Sequence, residues 1–254
     1  MESAMTKTAL VIDGDIFLWE CALGSEVAWD WGDDMWTLHG DAREARQRFD
    51  IEIADLKEKL NASVIAIALS GEKNWRKDVL PTYKAHRKKT RKPLLFHTLK
   101  QYVRDAYNHY EYPNLEADDV CGILMGRRLW QTKYEKILVS TDKDLKQIKG
   151  LHYNPGRPEE DVSEVTPADG HYNHLLQTLT GDAVDGYSGC PGIGPKTAAR
   201  ILKPDPCWET VRRAYEDQGF DEEDALQQAR VAYIMREGDY NFETNEVKLW
   251  EPRG

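Results

Sequence analysis

Four short acidic clusters are the residues of this 254-residue chain best suited to chemistry. They are Asp13 within Leu10-Val11-Ile12-Asp13-Gly14-Asp15, then Glu116-Ala117-Asp118-Asp119, Ser140-Thr141-Asp142-Lys143-Asp144 and Gly181-Asp182-Ala183-Val184-Asp185-Gly186. The first and third follow β-branched, strand-like runs. The second opens a helical pattern, and the fourth leads into a Gly-rich turn. Carboxylates gathered at strand ends repel one another unless positive charge lies between them. Hard cations answer that need, and Mg²⁺ prefers oxygen ligands. Two such ions about 4 Å apart clamp the attacking and leaving oxygens of a phosphodiester. The pattern points to a metal-dependent nuclease.

A net charge of −10 looks wrong for a nucleic-acid enzyme, but net charge hides distribution. Lys73 to Arg104 carries 11 Lys and Arg against one Asp, a local net of +10. The acid lies in the clusters and in the chain after Asp205. The length fits one large domain or two small ones. Cys21, Cys121, Cys190 and Cys207 form no C-x-x-C pair, which suits reduced thiols in a cytoplasmic protein. No signal peptide is expected, and no apolar stretch is long enough to span a bilayer.

The elements that must position these acids read as an alternation. Thr8–Ile12, Val64–Leu69 and Lys136–Ser140 are predicted buried strands. Helices are predicted over Ile16–Ala28, Ala42–Leu60, Leu94–Tyr107 and Glu116–Trp130, with a short one over Asp142–Lys149 that Asp142 caps. The Trp-rich loop from Trp29 to Trp36 reads as a core anchor. Strands separated by helices imply an α/β fold with a mostly parallel central sheet flanked by helices, whose strand ends bind ligands. After Pro167 the pattern is helical to about Gly238, with a short strand near Val247–Trp250.

A second motif is Gly189-Cys190-Pro191-Gly192-Ile193-Gly194-Pro195-Lys196-Thr197-Ala198. Pro195 suits a first helical turn, and the free amides of that turn together with Lys196 suit a phosphate. This is a helix–hairpin–helix type of backbone grip, which reads phosphates and not bases. A P-loop is disfavoured, because Pro195 stands where that motif needs Lys and no strand precedes it.

In order and spacing these motifs resemble the flap endonuclease and 5′→3′ exonuclease family. Asn74-Trp75-Arg76-Lys77, Tyr83-Lys84-Ala85-His86-Arg87 and Asp185-Gly186-Tyr187-Ser188-Gly189 are especially similar to the 5′→3′ exonuclease of short-tailed bacteriophages. The resemblance implies a PIN-like nuclease core over residues 1–165, with a basic arch at about 73–104. It implies a helical DNA-binding region over 166–254, packed on the core and carrying the 185–200 hairpin. It implies Asp13, Glu116 and Asp118 as ligands of a first Mg²⁺, with Asp119 in the same cluster. Asp142, Asp144, Asp182 and Asp185 would hold a second, and Mn²⁺ could substitute. Lys84 and Arg87 would act on the scissile phosphate, and Tyr83 would stack on a base. Arg76, Lys77, Lys88 and Lys89 would contact DNA. Gly192, Gly194 and Lys196 would hold duplex, with a K⁺ ion at the hairpin. Implied partners are duplex DNA with 5′ ends or flaps and RNA–DNA hybrids, met by a monomer away from any membrane.

One position departs from the family. An Asp is usual five residues before the Arg that Arg76 matches, and here that residue is Gly71, with Glu72 beside it as a stand-in. Each acid also has an ordinary reading, as turn former, N-cap or first-turn acid. Two other functions stay open at this point: a catalytically weakened DNA-binding protein of the same fold, and a related single-domain ribonuclease.

Overall fold

The structure is a computed structural model that describes residues 7–127 and 133–252, without the side chains of Lys88 and Lys89. The run Ala9-Leu10-Val11-Ile12 has no accessible surface. A continuous apolar, β-branched run of this kind suits a strand covered on both faces. It forms the centre of β1 (Lys7–Asp13), which pairs in parallel with β4 (Ala62–Leu69) on one side and β6 (Tyr134–Val139) on the other. With β5 (His109–Glu111), β7 (Gly150–Tyr153) and β8 (Ser163–Val165) they make a six-stranded sheet, β5-β4-β1-β6-β7-β8. Only the β7–β8 pairing is antiparallel. Chain order reverses about β1, so a crevice opens at the carboxyl ends of β1, β4 and β6.

Helices cover both faces. α1 (Gly14–Gly24), α2 (Ala42–Lys59) and α4 (Phe96–Ala106) bury Phe17, Phe49, Ile53 and Leu99 against one side. α5 (Ala117–Gly126) buries Val120, Ile123 and Leu124 against the other. Between β4 and α4 the basic stretch is no long helix. It holds one α-turn, α3 (Arg76–Val79), and a 3₁₀ segment, Ala85–Lys89. Pro81 and Pro93 interrupt anything longer.

After β8 come α6 (Pro167–Thr180), α7 (Pro195–Leu202), α8 (Trp208–Asp217) and α9 (Glu222–Ala232). They share a separate apolar cluster that includes Leu175, Leu179, Ile193, Leu202, Val211 and Tyr215. Two short strands, β9 (Tyr240–Asn241) and β10 (Glu246–Val247), follow as an antiparallel pair.

The sequence expectations need correcting in three places. The first helix stops at Gly24, and Glu26–Asp30 instead forms β2, paired with β3 (Trp36–Gly40) in a two-stranded hairpin. Trp29, Trp31, Met35 and Trp36 on it are all more than half exposed, so the Trp-rich segment anchors no core. Asp142 does cap the segment that follows it, but that segment, Lys143–Gln147, is 3₁₀ and not α. The predicted helix end at Trp130 lies outside the described residues. Among the described residues no helix is long and apolar enough to cross a membrane.

Candidate active site

The crevice is a cavity of about 660 Å³. Its acidic lining includes Asp13, Glu116, Asp118, Asp142 and Asp185, drawn from all four sequence clusters. Asp13 is the last residue of β1 and the N-cap of α1. The Ser140 hydroxyl, just past β6, donates to its Oδ2 at 2.9 Å. Burial pushes the Asp13 carboxyl up to about 7, helped by repulsion from Asp15 and Asp142. Asp118, in the first turn of α5, is held well above the usual carboxylate range by burial and by its neighbours Asp13 and Asp142. These acids face one another with too little positive charge among them.

Glu116 is the opposite case. Burial alone would raise it, but Lys84 and Arg76 hold it down to about 2. Lys84 Nζ donates to its Oε1 at 2.6 Å and lies 3.4 Å from Asp185 Oδ2. Arg87 donates to Asp185 Oδ1 at 2.8 Å. The Tyr83 hydroxyl joins both acids, at 3.1 Å from Glu116 and 2.8 Å from Asp185. Lys84 has a left-handed backbone (φ 53°), and its amide donates to the Asp185 carbonyl at 2.7 Å. The strap formed by residues 83–89 of the basic stretch is thus fastened by backbone to the fourth cluster, with Lys84 inside the cavity.

Asp144 and Asp182 lie beyond the cavity lining. Lys143 Nζ donates to Asp182 Oδ2 at 2.9 Å, and the Val184 amide donates to Oδ1 at 2.7 Å. Burial pushes Asp144 up to about 7, with Asp142 repelling it. Its Oδ1 is buried and has no hydrogen-bond partner.

Several expected roles do not fit the geometry. Asp119 has no accessible surface and both oxygens are occupied. Arg76 grips it with two bonds of 2.7 and 2.8 Å, Trp75 Nε1 donates at 3.0 Å, and the Met235 amide donates at 3.2 Å. It also accepts the Glu116 amide in a capping box. Asp119 positions Glu116 and leaves no oxygen for an ion. Arg76 is buried too, with its remaining bonds to Glu116 and to the Val231 and Tyr233 carbonyls, so it reaches no DNA. Tyr83 is buried against Tyr187 and offers no face to a base. Glu72 lines a separate cavity with Lys73, Lys77 and Asn114, and does not stand in at position 71. The side chains of Lys88 and Lys89 lie outside the described residues.

Gly192, Gly194 and Lys196 are exposed at the start of α7, away from the acidic cavity lining. Gly192 has φ +79°, a conformation that favours glycine. Gly194 does not, and a Cβ there would meet nothing within 4 Å. Pro195 opens α7, and no side chain caps its first turn.

Sequence reasoning gave no role to two acids of the cavity wall, Asp15 and the exposed Glu20. Asp15 lines the same cavity and accepts the Ser70 amide through Oδ1 at 3.2 Å. The i, i+2 spacing from Asp13 across a strand-to-helix junction was its only signal.

Among the described residues, no three His, Cys, Asp or Glu side chains are closed into a ready ion cage. The donor set nonetheless fits a hard cation. It is all oxygen, its acids are destabilised by mutual repulsion, and Asp144 keeps a buried oxygen without a donor.

A mostly parallel sheet flanked by helices, with a helical C-terminal region, is a PIN-like fold, here with carboxylates at its central strand ends. The chain belongs to the family described as 5′-3′ exonuclease, N-terminal resolvase-like domain, which matches residues 9–164. It is similar to the exonuclease of Escherichia phage T7, 28% identical over 99% of this chain and 96% of the relative. It is similar to the exodeoxyribonuclease of Enterobacteria phage T3, 27% identical over 99% and 95%. A flap endonuclease (Xni) of Shewanella oneidensis is 27% identical over 64% of this chain and 66% of its own length. The bacteriophage T5 flap endonuclease, solved with DNA and metal ions, shares the fold with a TM-score of 0.68, covering 89% of both chains at 13% identity.

Proposed function

We propose that this enzyme is a metal-dependent 5′→3′ exonuclease that enters duplex DNA at 5′ ends, with flap endonuclease and RNase H-like primer-removal activity. The observation that carries this reading is the single cavity where acids of all four clusters meet Lys84 and Arg87. Asp13, Glu116 and Asp118 would hold one Mg²⁺, and Asp142 and Asp185, backed by Asp144 and Asp182, a second. Mn²⁺ would substitute. When bound, the ions supply an activated water and charge neutralisation at the leaving oxygen.

The chain's own residues supply the rest. Lys84 and Arg87 are held among the acids by bonds that a scissile phosphate can replace, which places fixed positive charge where negative charge develops. Tyr83 keeps Glu116 and Asp185 in register with that strap. Residues 1–165 act as the nuclease core and 166–254 as the DNA-holding region. The turn Gly192–Lys196, together with a K⁺ ion, grips duplex phosphates as a helix–hairpin–helix does. The protein works as a monomer in the cytoplasm.

A 5′-labelled duplex and a matching RNA–DNA hybrid, each incubated with Mg²⁺ and with chelator, test this. Short 5′ products should appear only with the metal. Asp118→Ala and Asp142→Ala should abolish cleavage while retaining duplex binding. Near-wild-type turnover by either variant, or cleavage in chelator, would refute the two-metal reading.

A further inference from the structure

The sequence leaves position 71 without a carboxylate, and the fold forbids one there. A Cβ on Gly71 would lie 2.0 Å from the Tyr112 carbonyl oxygen and 2.7 Å from the Pro113 carbonyl. The Gly71 amide is itself tied to the Leu115 carbonyl at 2.8 Å. No side chain fits at 71 unless the loop between β5 and α5 moves. Glu72 faces the other cavity, so it cannot compensate.

Asp15 reaches the neighbouring residue of the same loop, Ser70, from α1. It lies in the first turn of α1, two residues beyond Asp13, and lines the cavity with Asp13, Glu116, Asp118 and Asp142. Gly14, between the two acids, draws the start of α1 onto β4: a Cβ there would lie 2.5 Å from Ile67 Cγ2 and 2.7 Å from the Ala68 carbonyl oxygen. Asp13 closes β1 as the N-cap of α1, so the strand-to-helix junction sets the two acids two residues apart at one edge of the cavity. The amide of Ser70, the neighbour of Gly71, donates to Asp15 Oδ1. Among the described residues, Oδ2 has no hydrogen-bond partner. One oxygen is thus oriented by the very loop that lost its acid, and the other is unengaged beside the first cluster.

We infer that Asp15 serves as the additional carboxylate of the first metal group, offering Oδ2 to a divalent hard cation held by Asp13, Glu116 and Asp118. This rests on the metal-dependent reading above, and the test separates the two. MnCl₂ is titrated calorimetrically, without DNA, into wild type, Asp15→Asn, Asp15→Ser, Glu20→Gln and Asp118→Asn. Asp15→Asn is close to isosteric and keeps the acceptor for Ser70, and Asp15→Ser guards against an effect of the amide itself. Both should bind one ion at least about 10- to 100-fold more weakly, the range seen when a group that only orients the ligands is removed. Glu20→Gln removes an exposed charge from the same cavity wall. It should weaken binding by less than about threefold, because salt screens it. Asp118→Asn should lose that ion. If the Asp15 variants shift no further than Glu20→Gln while Asp118→Asn loses the ion, Asp15 is only a neighbouring charge and the inference fails alone. If wild type takes up no Mn²⁺, the inference and the metal-dependent reading fail together.

Discussion

Asp119→Asn separates a structural acid from a catalytic one. Asp119 and Arg76 are both buried, at 0% and 3% exposure, and are joined by two short bonds. Arg76 goes on to the Val231 carbonyl at 2.9 Å and the Tyr233 carbonyl at 2.7 Å, where α9 ends. The pair therefore ties the first turn of α5 to the C-terminal helices. Neutralising Asp119 leaves a buried guanidinium with Glu116 as its one remaining counter-charge among the described residues. Breaking such a pair by removing one partner costs about 3–5 kcal/mol. Asparagine retains one acceptor, so the lower end, roughly 3 kcal/mol, is the expected loss. Arg76→Met should cost at least as much, because it also strips donors from two carbonyls. The assay is urea unfolding in excess chelator, where no ligand role can contribute. A double-mutant cycle on Arg76→Met and Asp119→Asn should return a coupling of up to about 3 kcal/mol. If Asp119→Asn unfolds at the wild-type midpoint in chelator yet abolishes cleavage, the positioning role is wrong and Asp119 belongs with the ligands.

Three further outcomes are expected. His174 is buried, with Nε2 against the Ala229 carbonyl at 2.8 Å, and burial lowers its pKa from 6.5 to about 4. The folded state thus binds its proton more weakly than the unfolded state, so stability holds above about pH 6.5 and falls as pH drops toward 4. The loss is roughly 3 kcal/mol, and urea midpoints across that window should show it flattened in His174→Gln. Gly194→Ala should melt like wild type, since its Cβ enters open space, yet lose more affinity for duplex than for single strand in parallel titrations. Equal loss on both substrates would argue against a duplex grip. Trp29→Ser and Trp31→Ser, on the exposed hairpin, should shift thermal stability by no more than about 0.5 kcal/mol.

The sheet was legible because β1, β4 and β6 are buried on both faces over their C-terminal halves, where they read as short apolar runs. The hairpin was not, although Val27, Trp29 and Trp31 alternate with period two. Gly24 marks the break, but a lone Gly is tolerated inside a helical pattern, so the segment reads as a continuation of α1. Adjacent acids posed a different problem. Asp118 and Asp119 sit about 100° apart around α5, so one faces the cavity and the other faces Arg76. The spacing Glu116-x-x-Asp119 was itself a capping-box signal for the inward one. Arg76 carried no local cue, since its carbonyl partners lie 155 and 157 residues away.

That distance makes the placement of Glu116 a joint product of the whole chain. The acid caps α5, and Asp119 holds the cap through its backbone amide. Arg76 holds Asp119, and the end of α9 holds Arg76. From the other side the strap reaches the same acid through Tyr83 and Lys84, which are fixed to Asp185 in the turn after α6. The carboxylate nearest the fixed cation is therefore clamped by two routes, and both pass through residues beyond 165. Loss of the C-terminal helices should disturb the chemistry as well as the hold on duplex, because Glu116 of the second acidic cluster is not clamped without them.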